Sequence, residues 1–259
     1  VEYSTLKVSR ESPLEVITID RPPVNALNGQ AIEDLGHALG EALREPSVKA
    51  VIITGAGQYC FVAGADLGQF LEMGPEEGQQ LIQKGKEVFD TIETMPKPVV
   101  AAINGVCLGG GLEMAMACDV RVAAEGSRMG QPEINLGIIP GWGGTQRLSR
   151  LVGKTRAMEM LLTGDMIKAA EALRFGLVNK VVPDNELMAH AKNLARKLAM
   201  QAPRALAAIK AVLWDGLGAS LPEGLRLETE AFVKVFQSRD AREGINAFLE
   251  KRKPQFTGE

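Results

Sequence analysis

The chain is poor in the residues from which many sites are built. It holds three cysteines and two histidines in 259 residues. Cys60, Cys107 and Cys118 are odd in number and lack metal-ligand spacing, and His37 and His190 stand far from them in sequence, so no metal-binding motif is present. The same scarcity of histidine leaves no Ser-His-Asp set. Thiols of this kind read as core residues of a reducing compartment. Cations are not in excess either. Lys and Arg number 29 against 32 Asp and Glu, a formal net charge of -3, which offers no electrostatic case for nucleic acid or a membrane surface. No apolar run reaches the roughly 18 residues a membrane span needs, and the N-terminus lacks a basic segment followed by an apolar one. The expectation is a soluble, cytoplasmic protein. Because the chain starts at Val1 without Met, a mitochondrial matrix protein freed of a transit peptide is the alternative.

Two nucleotide motifs also fail. Gly153-Lys154-Thr155 resembles the end of a phosphate-binding loop, but the glycine required five positions before Gly153 is Leu148. Gly55-Ala56-Gly57 is followed by Cys60 where a dinucleotide fingerprint needs glycine.

What is present is an ordinary globular composition, 46% apolar and 24% charged, long enough to bury a substantial core. The informative stretch is residues 100–144, which sets Glu113 and Glu133 in almost wholly apolar surroundings. No Lys, Arg or His lies between Asn104 and Val120, and the cations nearest Glu133 in sequence are Arg128 and Arg147. A buried carboxylate without a partner is costly and is tolerated most often where it does chemistry. The plainer alternative is that each glutamate caps a helix or meets a distant arginine. Gly109, Gly110 and Gly111 sit between a strand-like run at 98–103 and a helix-like run at 112–118. Glycines at such a turn let backbone N–H groups approach a ligand at a positive helix end, an oxyanion site in outline. Glu113 follows Gly110 by about one helical turn, so one reactive carbonyl could touch both.

The rest of the chain reads as mixed α/β with a helical C-terminus. Residues 3–9 and 14–20 suggest a hairpin, 30–44 an amphipathic helix and 48–54 a buried strand. Residues 71–77 are expected to be a mobile surface connection before a helix over 77–94, with Phe70 and Met73 as candidates to line an acyl pocket or, equally, the core. Helices are expected at 155–163 and 169–175, and a strand at 177–182. From residue 184 onward the pattern is helical, at 186–200, 203–215, 221–238 and 240–253, with a boundary near residue 200. Helices without a sheet to sit on suggest packing against the body or a second subunit.

The run Asn104-Gly105, Gly109-Gly110-Gly111-Leu112-Glu113, Gly130-Gln131-Pro132-Glu133 and Pro140-Gly141-Trp142-Gly143-Gly144-Thr145 resembles the crotonase (enoyl-CoA hydratase/isomerase) superfamily. The resemblance implies an α/β spiral of ββα units over residues 1–200 and a helical oligomerisation region over 201–259, assembled as a trimer or dimer of trimers. It further implies an acyl-CoA thioester as substrate and no cofactor or metal. Glu113 would activate water, Glu133 would deliver a proton, the N–H groups of Ala65 and Gly110 would hold the thioester oxygen, and Gly141 would donate to the water. Ala63, Gly64, Ala65 and Asp66 match the adenine side of the CoA site, the 21–27 loop approaches the CoA, and Phe248 and Lys251 on one face of the last helix would meet adenine and phosphate. Gly68 departs from members that carry a lysine there. Keeping both glutamates favours hydration over double-bond migration in fatty acid oxidation or related acyl-CoA metabolism. The alternatives are an isomerase, a methylglutaconyl-type hydratase, or an RNA-binding protein on the same scaffold.

Overall fold

A computed structural model describes residues 2–259. The segments AVIITG and VVAAI form β3 (Ala50–Gly55) and β5 (Val99–Ile103), buried at every position. Such uninterrupted burial is what parallel strands covered on both faces require. They lie at the centre of a six-stranded sheet. Its strands β1 (Leu6–Glu11), β2 (Leu14–Ile19), β3, β5, β7 (Val120–Ala124) and β10 (Lys180–Val182) stand in that order. Only the β1–β2 hairpin is antiparallel. A second sheet of four strands orders β4 (Cys60–Ala63), β6 (Val106–Leu108), β8 (Arg128–Gly130) and β9 (Ile167–Lys168).

The two sheets share one connection rule. Each of β3, β5 and β7 is followed by a short strand in the other sheet and then by helix: α2 (Leu67–Glu72) and α3 (Pro75–Thr94), α4 (Gly110–Ala117), and α5 (Gly144–Thr163). This is a spiral of ββα units. Alternation along the large sheet divides the core. Val51, Ile53, Val99 and Ala101 face the small sheet together with α1 (Gly29–Arg44), α3 and α4, whereas Ile52, Val100, Ala102 and Val122 face the opposite side. That side is covered by Leu187, Ala191 and Ala195 of α7 (Leu187–Ala199), which follows α6 (Ala169–Arg174).

Three sequence expectations need correction. Residues 71–77 are largely helical, because Asp66 caps α2 through the amides of Gly68 and Gln69 and α3 begins at Pro75, two residues before the expected start. Strands β4, β6, β7, β8 and β9 went unanticipated; β6 and β8 have three residues each, too few to display a period. The last helix, α10 (Arg239–Leu249), ends before Lys251, which adopts a left-handed φ of 57° and so cannot share a helical face with Phe248. The tail helices α8 (Pro203–Gly216) and α9 (Leu221–Phe236) bury no residue fully. Lys210 of α8 ties them to the body by donating to Asp119 at 2.7 Å and to the carbonyls of Ile92 and Lys97. Among the described residues no helix is long and apolar enough to cross a membrane.

Candidate active site

The carboxyl ends of the three parallel strands of the small sheet converge, and register explains why. Ala63 of β4 pairs with Leu108 of β6, and Leu108 pairs with Gly130 of β8. Continuing each strand by one or two residues sets Gly64-Ala65, Gly109-Gly110 and Gln131-Pro132-Glu133 side by side. The Gly109 amide donates to the Gly130 carbonyl at 3.0 Å, which holds the neighbouring turns together. Gly109 has a φ of 49°, and a Cβ there would come within 2.8 Å of Glu133 Oε1. Only glycine lets the backbone make this turn with a carboxylate pressed against it.

Gly110 opens α4, so its N–H has no partner within the helix. Among the described residues neither Gly110 N–H nor Ala65 N–H has a protein acceptor. Ala65 is set by a parallel bridge to Leu27, in which the Leu27 amide donates to Gly64 and the Asp66 amide to Leu27. The same bridge brings the 21–27 loop alongside Ala63 and Gly64. The Asp66 carboxylate is occupied by its capping bonds and by Arg21, which lower its proton affinity, led by the arginine contact.

Glu113 on the first turn of α4 is 1% exposed. Its Oε1 accepts from the amides of Trp142 at 2.7 Å and Gly144 at 2.6 Å, and no described protein group donates to its Oε2. The expectation of a partnerless carboxylate is thus corrected: its partners are backbone amides, which no reading of side-chain charge could find. Burial dominates all the same and pushes its pKa up to about 7, with Glu133 adding to the rise and the two amides opposing it. Glu133 lies in a 3-10 turn (Pro132–Leu136), and burial raises its carboxyl above the usual range as well. The fully buried Gln131 faces it. With its nitrogen turned toward the carboxylate, the only orientation that avoids oxygen against oxygen, it donates to both Glu133 oxygens at 3.0 and 3.1 Å.

Gly141 immediately precedes Trp142 and thus lies beside the Glu113 cradle, where a Cβ would meet Ile82 at 2.6 Å. The Trp142 indole is wedged between α3 and α4, edge-on to Phe89 and so close to Gly110 that a Cβ there would lie 2.4 Å from the ring. Trp142, Gly144 and Gln131 were quoted from the sequence only as parts of a pattern, and their contacts to the glutamates could not be read from spacing. Phe70 and Met73 pack against the core, and Met73 also lines a cavity of about 400 Å³ with Gln69, Glu72, Glu77 and Leu81, which neither glutamate reaches. Phe248 and Lys251 are exposed on the C-terminal segment, with no hydrogen bond to the residues around the glutamates.

Two sheets of ββα units, a helix N-terminus with an unpartnered amide, and two carboxyl groups of raised proton affinity, Glu113 buried and Glu133 half-buried, are the features of an enzyme of the crotonase fold. The chain matches the sequence model of the enoyl-CoA hydratase/isomerase family over residues 9–259 and belongs to that family. It is 45% identical over 254 residues to the short-chain-enoyl-CoA hydratase of Clostridium acetobutylicum, covering 98% of this chain and 97% of that protein. It is 43% identical to the crotonyl-CoA hydratase of Syntrophomonas wolfei, with 98% of each chain covered. The crystal structure of an enoyl-CoA hydratase from Bacillus anthracis superposes with a TM-score of 0.95 at 39% identity, covering 99% of this chain and all of that one.

Proposed function

We propose that the protein adds water across the 2,3 double bond of a 2-enoyl-CoA thioester, with Glu113 and Glu133 as its catalytic pair. The protein is a hydro-lyase. The observation that carries the assignment of the pair is the convergence of two carboxyl groups, both raised in proton affinity by burial, on the turn that opens α4. The N–H groups of Ala65 and Gly110 receive the thioester oxygen and draw electron density from the β-carbon. Glu113, ionised, takes a proton from water as the oxygen bonds to that carbon, with Gly141 donating to the water. The enolate charge rests on the two amides, whose loss in comparable sites costs about 10² to 10³ in rate per donor. Glu133, protonated, then gives its proton to the α-carbon, so that one water is consumed and a 3-hydroxyacyl-CoA is formed, and the proton held by Glu113 returns to Glu133 through solvent before the next turnover. Each general acid or base contributes roughly 10² to 10⁴. No redox step occurs and the reaction calls for no cofactor.

Ala63, Gly64 and Asp66 border the oxyanion turn and suit the CoA side of the substrate. The names of the relatives support a short acyl chain. Exposed Leu213 and Trp214 on α8, Leu217 just beyond its end, and Leu221 and Phe232 on α9 support assembly as a homo-oligomer, and the free thiols support a reducing, cytoplasmic site of action. Incubation with crotonyl-CoA in ¹⁸O-water tests the reading. Loss of the conjugated-enoyl absorbance with one labelled oxygen in the product is expected, and Glu113→Gln and Glu133→Gln should each lower the rate at least about 10²-fold. Double-bond migration without oxygen uptake would make the protein an isomerase.

A further inference from the structure

Among the described residues, Arg147, in the first turns of α5, is the one cation that acts directly on the Glu113 cradle. Its guanidinium is fixed on the α3 side by Glu93, which accepts from Nε at 2.8 Å and from Nη2, and by Asp90, which accepts from Nη2 at 2.8 Å. Its Nη1 donates to the Trp142 carbonyl at 2.7 Å. That carbonyl belongs to the peptide joining Trp142 to Gly143. The peptide before it supplies the Trp142 N–H to Glu113, and the peptide after it supplies the Gly144 N–H. The arginine therefore grips the peptide lying between the two donors. Room for the grip comes from Gly143, whose φ is 102° and where a Cβ would sit 2.3 Å from Nη1. The Arg147 side chain is 12% exposed and Glu93 20%, so this is a largely dry contact.

We infer that Arg147 is a positioning residue of the hydration site, holding the Trp142–Gly144 backbone so that both amides converge on one oxygen of Glu113. The inference rests on Glu113 being the base. The charged groups around Glu113 are Glu133 from the 3-10 turn, Arg147 from α5 and, paired with that arginine, Asp90 and Glu93 from α3; β4 and β6 bring only the thiols of Cys60 and Cys107. Burial and Glu133 push the Glu113 carboxyl up, while the two amides and Arg147 pull it down. Loosening the amides and removing the cation both act in one direction. They raise the proton affinity further and shrink the ionised fraction at neutral pH.

The test is the pH dependence of kcat for crotonyl-CoA hydration in the full-length protein, Arg147→Met and Arg147→Lys, with near-ultraviolet circular dichroism to establish folding. The parent should show an acid limb near pH 7. In Arg147→Met the limb should move up by about one pH unit, kcat at pH 7 should fall about fivefold and recover largely by pH 9, and KM should change less than about twofold. A lysine carries the charge but not the planar fork, so Arg147→Lys should also move the limb upward, by less. Should the methionine variant misfold, the lysine variant decides. A uniform loss of kcat with the limb unmoved in a folded variant overturns the inference. Glu113→Gln separates the two levels. If it is inactive while the Arg147 variants keep the parental limb, only the positioning role fails; if it remains active with the limb intact, Glu113 is not the base.

Discussion

The raised pKa of Glu113 makes a prediction about folding, independent of any substrate. Glu113→Gln keeps an oxygen that can accept from Trp142 and Gly144 while removing the charge that burial penalises. In the unfolded chain the carboxyl ionises near its ordinary value of 4.5; in the folded protein it ionises at about 7. Between those two values the folded state holds a proton that the unfolded state has released, so the parent loses stability as pH rises through that window. At about 1.4 kcal/mol for each tenfold change in proton affinity, the full effect is of order 3 kcal/mol above pH 7. The glutamine variant escapes it. Urea denaturation of both proteins at equal concentration, at pH 5 and pH 8.5, should show a gap in favour of the variant that opens with pH. A gap that is constant, or that favours the parent more at pH 8.5, would refute the assignment of desolvation as the dominant influence on Glu113.

Two further outcomes follow from the same geometry. The 2.4 Å separation between a Cβ at position 110 and the Trp142 ring means that even Gly110→Ala must displace the indole; the variant should lose about 1–3 kcal/mol in thermal or urea unfolding as well as hydration rate. Lys251→Ala should weaken CoA-thioester affinity more than that of a truncated thioester lacking the nucleotide, with the lysine acting from a left-handed turn beyond the helix end; equal effects on both substrates in a titration would remove Lys251 from the CoA site.

Much of the architecture was legible because long, strongly patterned segments declare themselves. The β-branched run at β3 and the apolar stripe of α1 fall within two residues of their expected bounds, since burial on one or both faces dictates their composition. The strands β6 and β8 were not legible, although they carry the site. Three residues pairing with strands more than twenty positions away are stabilised by register, and register is a property of the assembled sheet.

The same division runs through the active site. The sequence by itself determined the chemical inventory: two carboxylates in apolar surroundings, a glycine turn opening a helix, a shortage of histidine and cysteine, and a pattern specific enough to name the family. Those are properties of residue type and local spacing, and folding does not alter them. Only the tertiary structure decided what each carboxylate touches. Glu113 is held by two backbone amides about thirty residues downstream, Glu133 by the side chain of Gln131, and the Glu113 cradle by an arginine anchored on α3. Backbone donors are identical in every residue but proline, so the sequence carries no mark of which of them will be left free to meet a carboxylate. That selection is made when parallel strands come into register and helix ends leave their first amides without partners.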